Sequence, residues 1–312
     1  MNIVGKGIAK IDGMSIATGK PVYTDDLAAK EALVVKILRS PHAYATIEDI
    51  DIKRAMMVPG VECVLTYKDV PNNKFTLAGQ SYPEPSPYDR KILDEYVRYV
   101  GDPVAIVAAE NEKAAIKAIK LIKVKYDVLE PLLDPRKAKD NEILVHPEDS
   151  WYAQCPVGAD NKRNLVATGC DEDGNVDEIF KECDVVIERT YKVKPVQQTM
   201  MEPFKTYTEI DNYGRIKVVS STQIPFHVRR IVANALGIEK SKVRVIKPRI
   251  GGGFGAKQTA VSEIYPAIVT YLTGKPAMIV YTREETQTIS SPRHGMEVTV
   301  KLGVMNDGTM RC

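Results

Sequence analysis

The chain has 312 residues, 44% of them apolar and 27% charged, which is the composition of ordinary globular domains and favours about two of them. Lys and Arg number 43 against 41 Asp and Glu, a net charge of +2, which argues against nucleic acid or an anionic membrane surface as partner. No apolar run approaches the roughly 20 residues of a membrane span, and "MNIVGKGIAKIDG" lacks the apolar core of a secretory signal, so cytoplasm is the expected compartment.

In chain order, "ATGKPVYT" (17–24) reads as a turn leading into a strand. A strand over 32–39, a Pro-His break and a short alternating strand follow. "AMMVPGVECVLTYKDV" predicts a short helix stopped at Pro59-Gly60, then a strand from Val61 to Thr66. Residues 70–90, rich in Pro, Asn and Ser, predict a loop. Next come a strand (103–109), an Ala- and Lys-rich helix (111–121) and a strand (122–128). Four prolines and little periodicity mark 131–165 as a linker.

From 166 onward, "NVDEIFKECDVVIERTYKV" predicts a short helix and a strand. "KTYTEIDNYGRIKVVSSTQ" predicts two strands joined at Asp211-Asn212-Tyr213-Gly214. "PFHVRRIVANALGI" predicts a helix with Pro225 in its first turn and Gly237 at its end. A strand, "KVRVIKP", leads to "RIGGGFGAKQ", after which "TAVSEIYPAIVTYLTG" predicts a helix closed by Gly274. "PAMIVYT" is a further strand. "MEVTVKLGVMNDGTMRC" is a strand and hairpin turn with only four residues beyond, so the unit is expected to be incomplete, a short returning edge strand being the alternative.

The five cysteines, Cys63, Cys155, Cys170, Cys183 and Cys312, have no CxxC spacing, so no zinc ribbon or iron–sulfur cluster is encoded, and a scattered odd set suits a reducing compartment. Four glycines within ten residues, 249–258, let main chain approach something bulky and point N–H groups at an anion. As a P-loop the run fails: Ala256 and Gln258 stand where Gly and Ser or Thr are needed. As a dinucleotide fingerprint, Gly251 to Ala256 match, but the required acid is absent and Tyr271 stands about 20 residues on. A tight turn with no ligand is the plain alternative.

"STQIPFHVRRIVANALGI" followed by "GGGFGAKQ" closely resembles the molybdenum-binding subunit of the xanthine dehydrogenase family, the molybdenum hydroxylases. "GKGIAKIDGMSIATGKPVYTDDL", "RSPHAYATIEDID", "VRYVGDPVAIVAAE" and "TMMEPFKTYTEI" extend the resemblance over essentially the whole chain. It implies an α+β fold: an α/β hammerhead-like domain over 1–130, a linker over 131–165, and over 166–312 the first part of a molybdopterin-binding domain.

By the resemblance, Gln223 is the catalytic amide that hydrogen-bonds the metal's oxo ligand, a job suited to a donor without charge. Gly253, Phe254 and Gly255 lie against the cofactor, so Gln223 and Phe254 contact molybdenum without ligating it directly. Gln258 is the candidate substrate-side residue, in the place where animal-type purine enzymes carry a purine-orienting Glu. Gln198 stands four residues before Glu202, where the family often has His; neither they nor Lys257 is assigned a role. The family's substrate-loop arginine and general-base glutamate have no counterpart here.

The resemblance implies molybdenum cofactor (Mo-molybdopterin, the cytosine dinucleotide form being one option), with 2Fe-2S clusters and FAD on partner subunits. Partners would be an iron–sulfur subunit, an FAD subunit and, in one arrangement, a separate chain with the second half of the molybdenum domain. The implied reaction hydroxylates a purine-type N-heterocycle with oxygen from water. The alternatives are an aldehyde, carbon monoxide or nicotinate dehydrogenase-type relative, or a truncated non-catalytic scaffold.

Overall fold

The structure, a computed structural model, describes residues 3–77 and 81–312, so 78–80 of the expected 70–90 loop lie outside the described residues. The first segment comprises α1 (Gly13–Ala17), β1 (Leu33–Arg39), β2 (Ala45–Asp51), α2 (Lys53–Met56), β3 (Val61–Leu65), β4 (Pro87–Tyr88), β5 (Tyr96–Val97), β6 (Pro103–Ala109), α3 (Glu112–Ile119) and β7 (Lys123–Val128). The remainder comprises β8 (Tyr152–Ala153), α4 (Val176–Lys181), β9 (Val185–Val193), β10 (Lys205–Ile210), β11 (Ile216–Ser220), α5 (Pro225–Leu236), β12 (Val243–Ile246), α6 (Ile264–Thr273), β13 (Ala277–Val280), α7 (Arg283–Thr288) and β14 (Met296–Val304).

One seven-stranded sheet, in the order β12-β11-β10-β13-β1-β6-β3, draws strands from both sequence segments. The join is the parallel pairing of β1 with β13, Leu33 opposite Ala277. β6 explains why its sequence, PVAIVAA, lacks polar alternation: both of its faces are buried. Ile106 and Ala108 enter the large core beside α5 and α6. Ala105, Val107 and Ala109 point the other way, onto Ala114, Ala115 and Ala118 of α3. Asn111 caps α3 by accepting the Ala114 N–H, and the small alanine face lets the helix lie close to the strands.

α5 begins at Pro225, whose missing N–H costs nothing in a first turn, and ends at Gly237 in the left-handed region, φ +69°. Val228, Ile231, Val232 and Ala235 form its buried stripe. The hairpin expected at 211–214 joins β10 to β11, with Ile210 opposite Ile216.

α6 starts at Ile264, not at 259 as its sequence suggests. The buried Glu263 carboxylate accepts the Ser262 N–H and the Ser220 hydroxyl, and Ala260 N–H donates to Leu77 O, so these backbone and side-chain bonds replace the first helical turn. The linker 131–165 contributes β8, which pairs with β4 inside the loop expected over 70–90. β9 and β14 form a separate two-stranded ribbon, almost wholly exposed. The four residues after its turn fold back, Met310 bridging Val304. Among the described residues no helix is long and apolar enough to cross a membrane.

Candidate functional site

β11 and β12 run parallel, so their carboxyl ends open on the same edge of the sheet. β10 is antiparallel to β11 and therefore starts at that edge. Three sequence-distant stretches consequently meet there: Gln223 just after β11, the glycine loop after β12, and Met200–Glu202 just before β10. Arg283, at the start of α7, donates to the carbonyls of Met200 and Met201, both at 2.7 Å.

The loop folds onto Gln223. Gly255 N–H donates to Gln223 Oε1 at 3.2 Å, and Gln223 N–H donates to Lys257 O at 2.9 Å. The side-chain amide nitrogen of Gln223 has no acceptor among the described residues. A Cβ on Gly253 would stand 2.5 Å from Gln223 Oε1, so only glycine permits this approach. Phe254 sits at φ +50° and is 75% exposed, an unusual pairing for a bulky residue. Its ring folds back towards Gly252, whose own φ is +99°. Ala256 N–H to Gly253 O at 2.8 Å and Gln258 N–H to Gly255 O at 3.2 Å close the turn that holds Phe254 in place. Gly255, φ +89°, would meet nothing within 4 Å of an added Cβ: the loop opens there onto free space.

Beneath the loop lies a buried charge cluster. Lys257 runs back under the arch with its side chain wholly inaccessible, and its ammonium donates to Glu202 Oε2 at 2.9 Å and Ser221 Oγ at 2.6 Å. The same carboxylate oxygen accepts the Ser221 hydroxyl at 2.5 Å and the Gly251 N–H at 2.7 Å. Burial alone would push the Glu202 carboxyl up, but the donors from Lys257, Ser221 and Gly251 outweigh it and hold the group below its usual range.

The structure thus brings Gln223, Gly253, Phe254 and Gly255 together, with half-buried Gln258 entering through its backbone one turn on. The loop does not run directly into a helix: seventeen residues, 247–263, separate β12 from α6, so the strand–turn–helix setting of a dinucleotide fingerprint is absent. Lys257 and Glu202 were not legible as site residues. Beyond the family spacing of Glu202 from position 198, their signal was two unlike charges in otherwise small or apolar surroundings, "GAKQ" and "MMEPF". A cleft of about 490 Å³ lined by Arg39, Tyr99, Tyr265 and Tyr281 lies elsewhere and includes none of the loop residues.

The glycine arch and the strand-end amide thus sit at one edge of the sheet of an α+β scaffold. Residues 158–312 match the molybdopterin cofactor-binding domain, and residues 18–130 match the a/b hammerhead domain of aldehyde oxidase and xanthine dehydrogenase. The chain belongs to the xanthine dehydrogenase family of molybdenum hydroxylases.

Among its relatives is a "Probable hypoxanthine oxidase" of Escherichia coli (strain K12), 38% identical over 335 residues; the alignment covers 99% of this chain and 35% of that protein. The "Nicotinate dehydrogenase large molybdopterin subunit" of Eubacterium barkeri is 32% identical over 310 residues, covering 99% of this chain and 68% of that subunit. The CO dehydrogenase of Oligotropha carboxidovorans superposes with a TM-score of 0.79 at 27% identity, over 98% of this chain and 38% of the other. The chain therefore spans about a third of the length of several relatives, and two thirds of one.

Proposed function

We propose that this chain is the N-terminal portion of the molybdenum subunit of a xanthine dehydrogenase-type enzyme that hydroxylates a purine-type N-heterocycle with oxygen from water. Residues 1–130 would be its hammerhead-like segment, 131–165 the connection and 166–312 the first part of the cofactor-binding domain. The observation that carries the reading is the contact between Gly255 N–H and Gln223 Oε1, which joins the glycine loop to the strand-end amide beside a position, Gly255, where no atom stands within 4 Å of an added Cβ.

A bulky anionic cofactor fits this cradle, because Gly255 offers no side chain and Gln223 offers donors without adding charge. Gln223 would hydrogen-bond the metal's oxygen, and Gly253, Phe254 and Gly255 would lie against the cofactor, which supplies two-electron redox chemistry when bound. Gln258 would face the substrate side. The cofactor is molybdopterin-type, the cytosine dinucleotide form being one option. A 2Fe-2S subunit and an FAD subunit would carry electrons away, and the substrate-binding arginine and base glutamate would come from outside these 312 residues. The likeness to a subunit named as a large molybdopterin subunit favours a split arrangement, with a second chain completing the site.

The test is co-expression with neighbouring genes, metal analysis, and turnover of hypoxanthine, xanthine, nicotinate and an aldehyde. Purine turnover by a molybdenum-loaded complex is expected. Nicotinate or aldehyde as the sole substrate would move the chain to that branch, and a complex without molybdenum would leave it a scaffold.

A further inference from the structure

We propose that Lys257, Glu202 and Ser221 are positioning residues of this site: a buried charge cluster that ties both feet of the glycine arch to the Gln223 strand end, so that cofactor retention depends on a pair that never touches the cofactor. The inference rests on the cofactor-facing reading of the loop given above.

Glu202 Oε2 accepts three hydrogen bonds, two from the feet of the arch and one from the strand end. Gly251 N–H (2.7 Å) is the near foot of the arch, Lys257 Nζ (2.9 Å) the far foot, and Ser221 Oγ (2.5 Å) the strand end two residues before Gln223. Residues 252–256, with Phe254 at the tip, therefore span two points pinned to one atom. The pinning is tight: a Cβ on Gly251 would lie 2.6 Å from Glu202 Cβ. Lys257 adds a second tie through its carbonyl, which accepts Gln223 N–H at 2.9 Å.

Burying such a pair gives little net stability, since well-packed apolar residues of similar volume are often as stable or more so. What an apolar replacement cannot supply is an acceptor for the Gly251 N–H or a directional bond to Ser221. Phe254, largely exposed at φ +50°, is held by the bonds that close its own turn, and the cluster fixes where that turn is anchored.

The experiment compares the full 312-residue chain with the double variant Glu202→Leu/Lys257→Met, which removes both charges together, and with Ser221→Ala, which removes one arm should the double variant fail to fold. Amide hydrogen exchange is followed in the cofactor-free chain, and the molybdenum-to-protein ratio is measured in the co-expressed complex. In the double variant the amides of 251–256 should exchange about tenfold faster while β6 and α6 keep their protection. Ser221→Ala should give a smaller change in the same amides. The molybdenum ratio should fall about tenfold in the double variant, a loss that general destabilisation would not produce with α6 intact. Unchanged loop exchange in both variants, or a loosened loop with an unchanged molybdenum ratio, would overturn the proposal. If the unaltered complex itself lacks molybdenum, the cofactor reading falls, and the exchange measurement alone decides whether the cluster pins the arch.

Discussion

Gly255 donates its backbone N–H to Oε1 of Gln223 at 3.2 Å, across 32 residues of sequence. The bond sets the polarity of the amide. With its oxygen turned to the loop, the nitrogen end keeps its N–H groups without an acceptor among the described residues.

Gln223→Ala should therefore leave the fold nearly intact, at a cost of about 1 kcal/mol for the lost hydrogen bond. Turnover of the assembled enzyme should drop about 10–100-fold, the usual effect of removing a group that orients a metal's ligands. Steady-state kinetics together with urea unfolding check this, and unchanged turnover removes Gln223 from the site.

Two glycines in the arch should behave differently when replaced by alanine. At Gly253 the new methyl would lie 2.5 Å from Gln223 Oε1 and must displace that side chain, so molybdenum content should fall even where stability changes by only about 1–3 kcal/mol. At Gly255 no atom stands in the way and φ is +89°, so the cost is backbone strain of about 1–2 kcal/mol. Metal analysis beside denaturation curves separates the two.

Gly237→Ala tests the fold away from the site. The residue ends α5 at φ +69°, and an added Cβ would approach Asn73 Nδ2 at 2.5 Å. A loss of about 1–2 kcal/mol in urea unfolding, with molybdenum binding retained, is expected.

Glu148 sets an acid limit. Burial works to raise its carboxyl, but His146 (3.2 Å), Lys74 (3.0 Å) and Arg98 (3.4 Å) prevail and hold it well below the usual carboxylate range. Because the folded value lies below the unfolded one, its stabilisation is complete above the ordinary value near 4.5 and is lost as pH falls through the depressed value. Glu148→Gln should be most destabilising at neutral pH, and the gap should begin to narrow only below about pH 4.5 and keep narrowing with further acidification. Urea midpoints across that range would show it; a constant difference would contradict it.

Local chemistry made much of the chain legible. Pro225 and Gly237 bracket α5, Asp211 to Gly214 turn the β10–β11 hairpin, and the apolar run at 103–109 is a strand. The resemblance carried by "STQ" and the glycine loop implied that they share one site. The late start of α6 was not legible, because it depends on where Ser220 and Leu77 stand, and both are distant in sequence. Lys257 was not legible for the same reason: a lysine after a glycine run reads as a solvated surface residue, and its enclosure depends on the distant Glu202.

The amino-acid order by itself determined which backbone could be bare and which ends were capped, since these follow from steric freedom and donor chemistry within a few residues. Only the tertiary structure decided that β11 and β12 run parallel, that β10 starts beside their ends, and that one carboxylate oxygen ties three distant segments together. Burial and unlike charge act through space, and at this sheet edge the partners are brought together by strand pairing rather than by proximity in the chain.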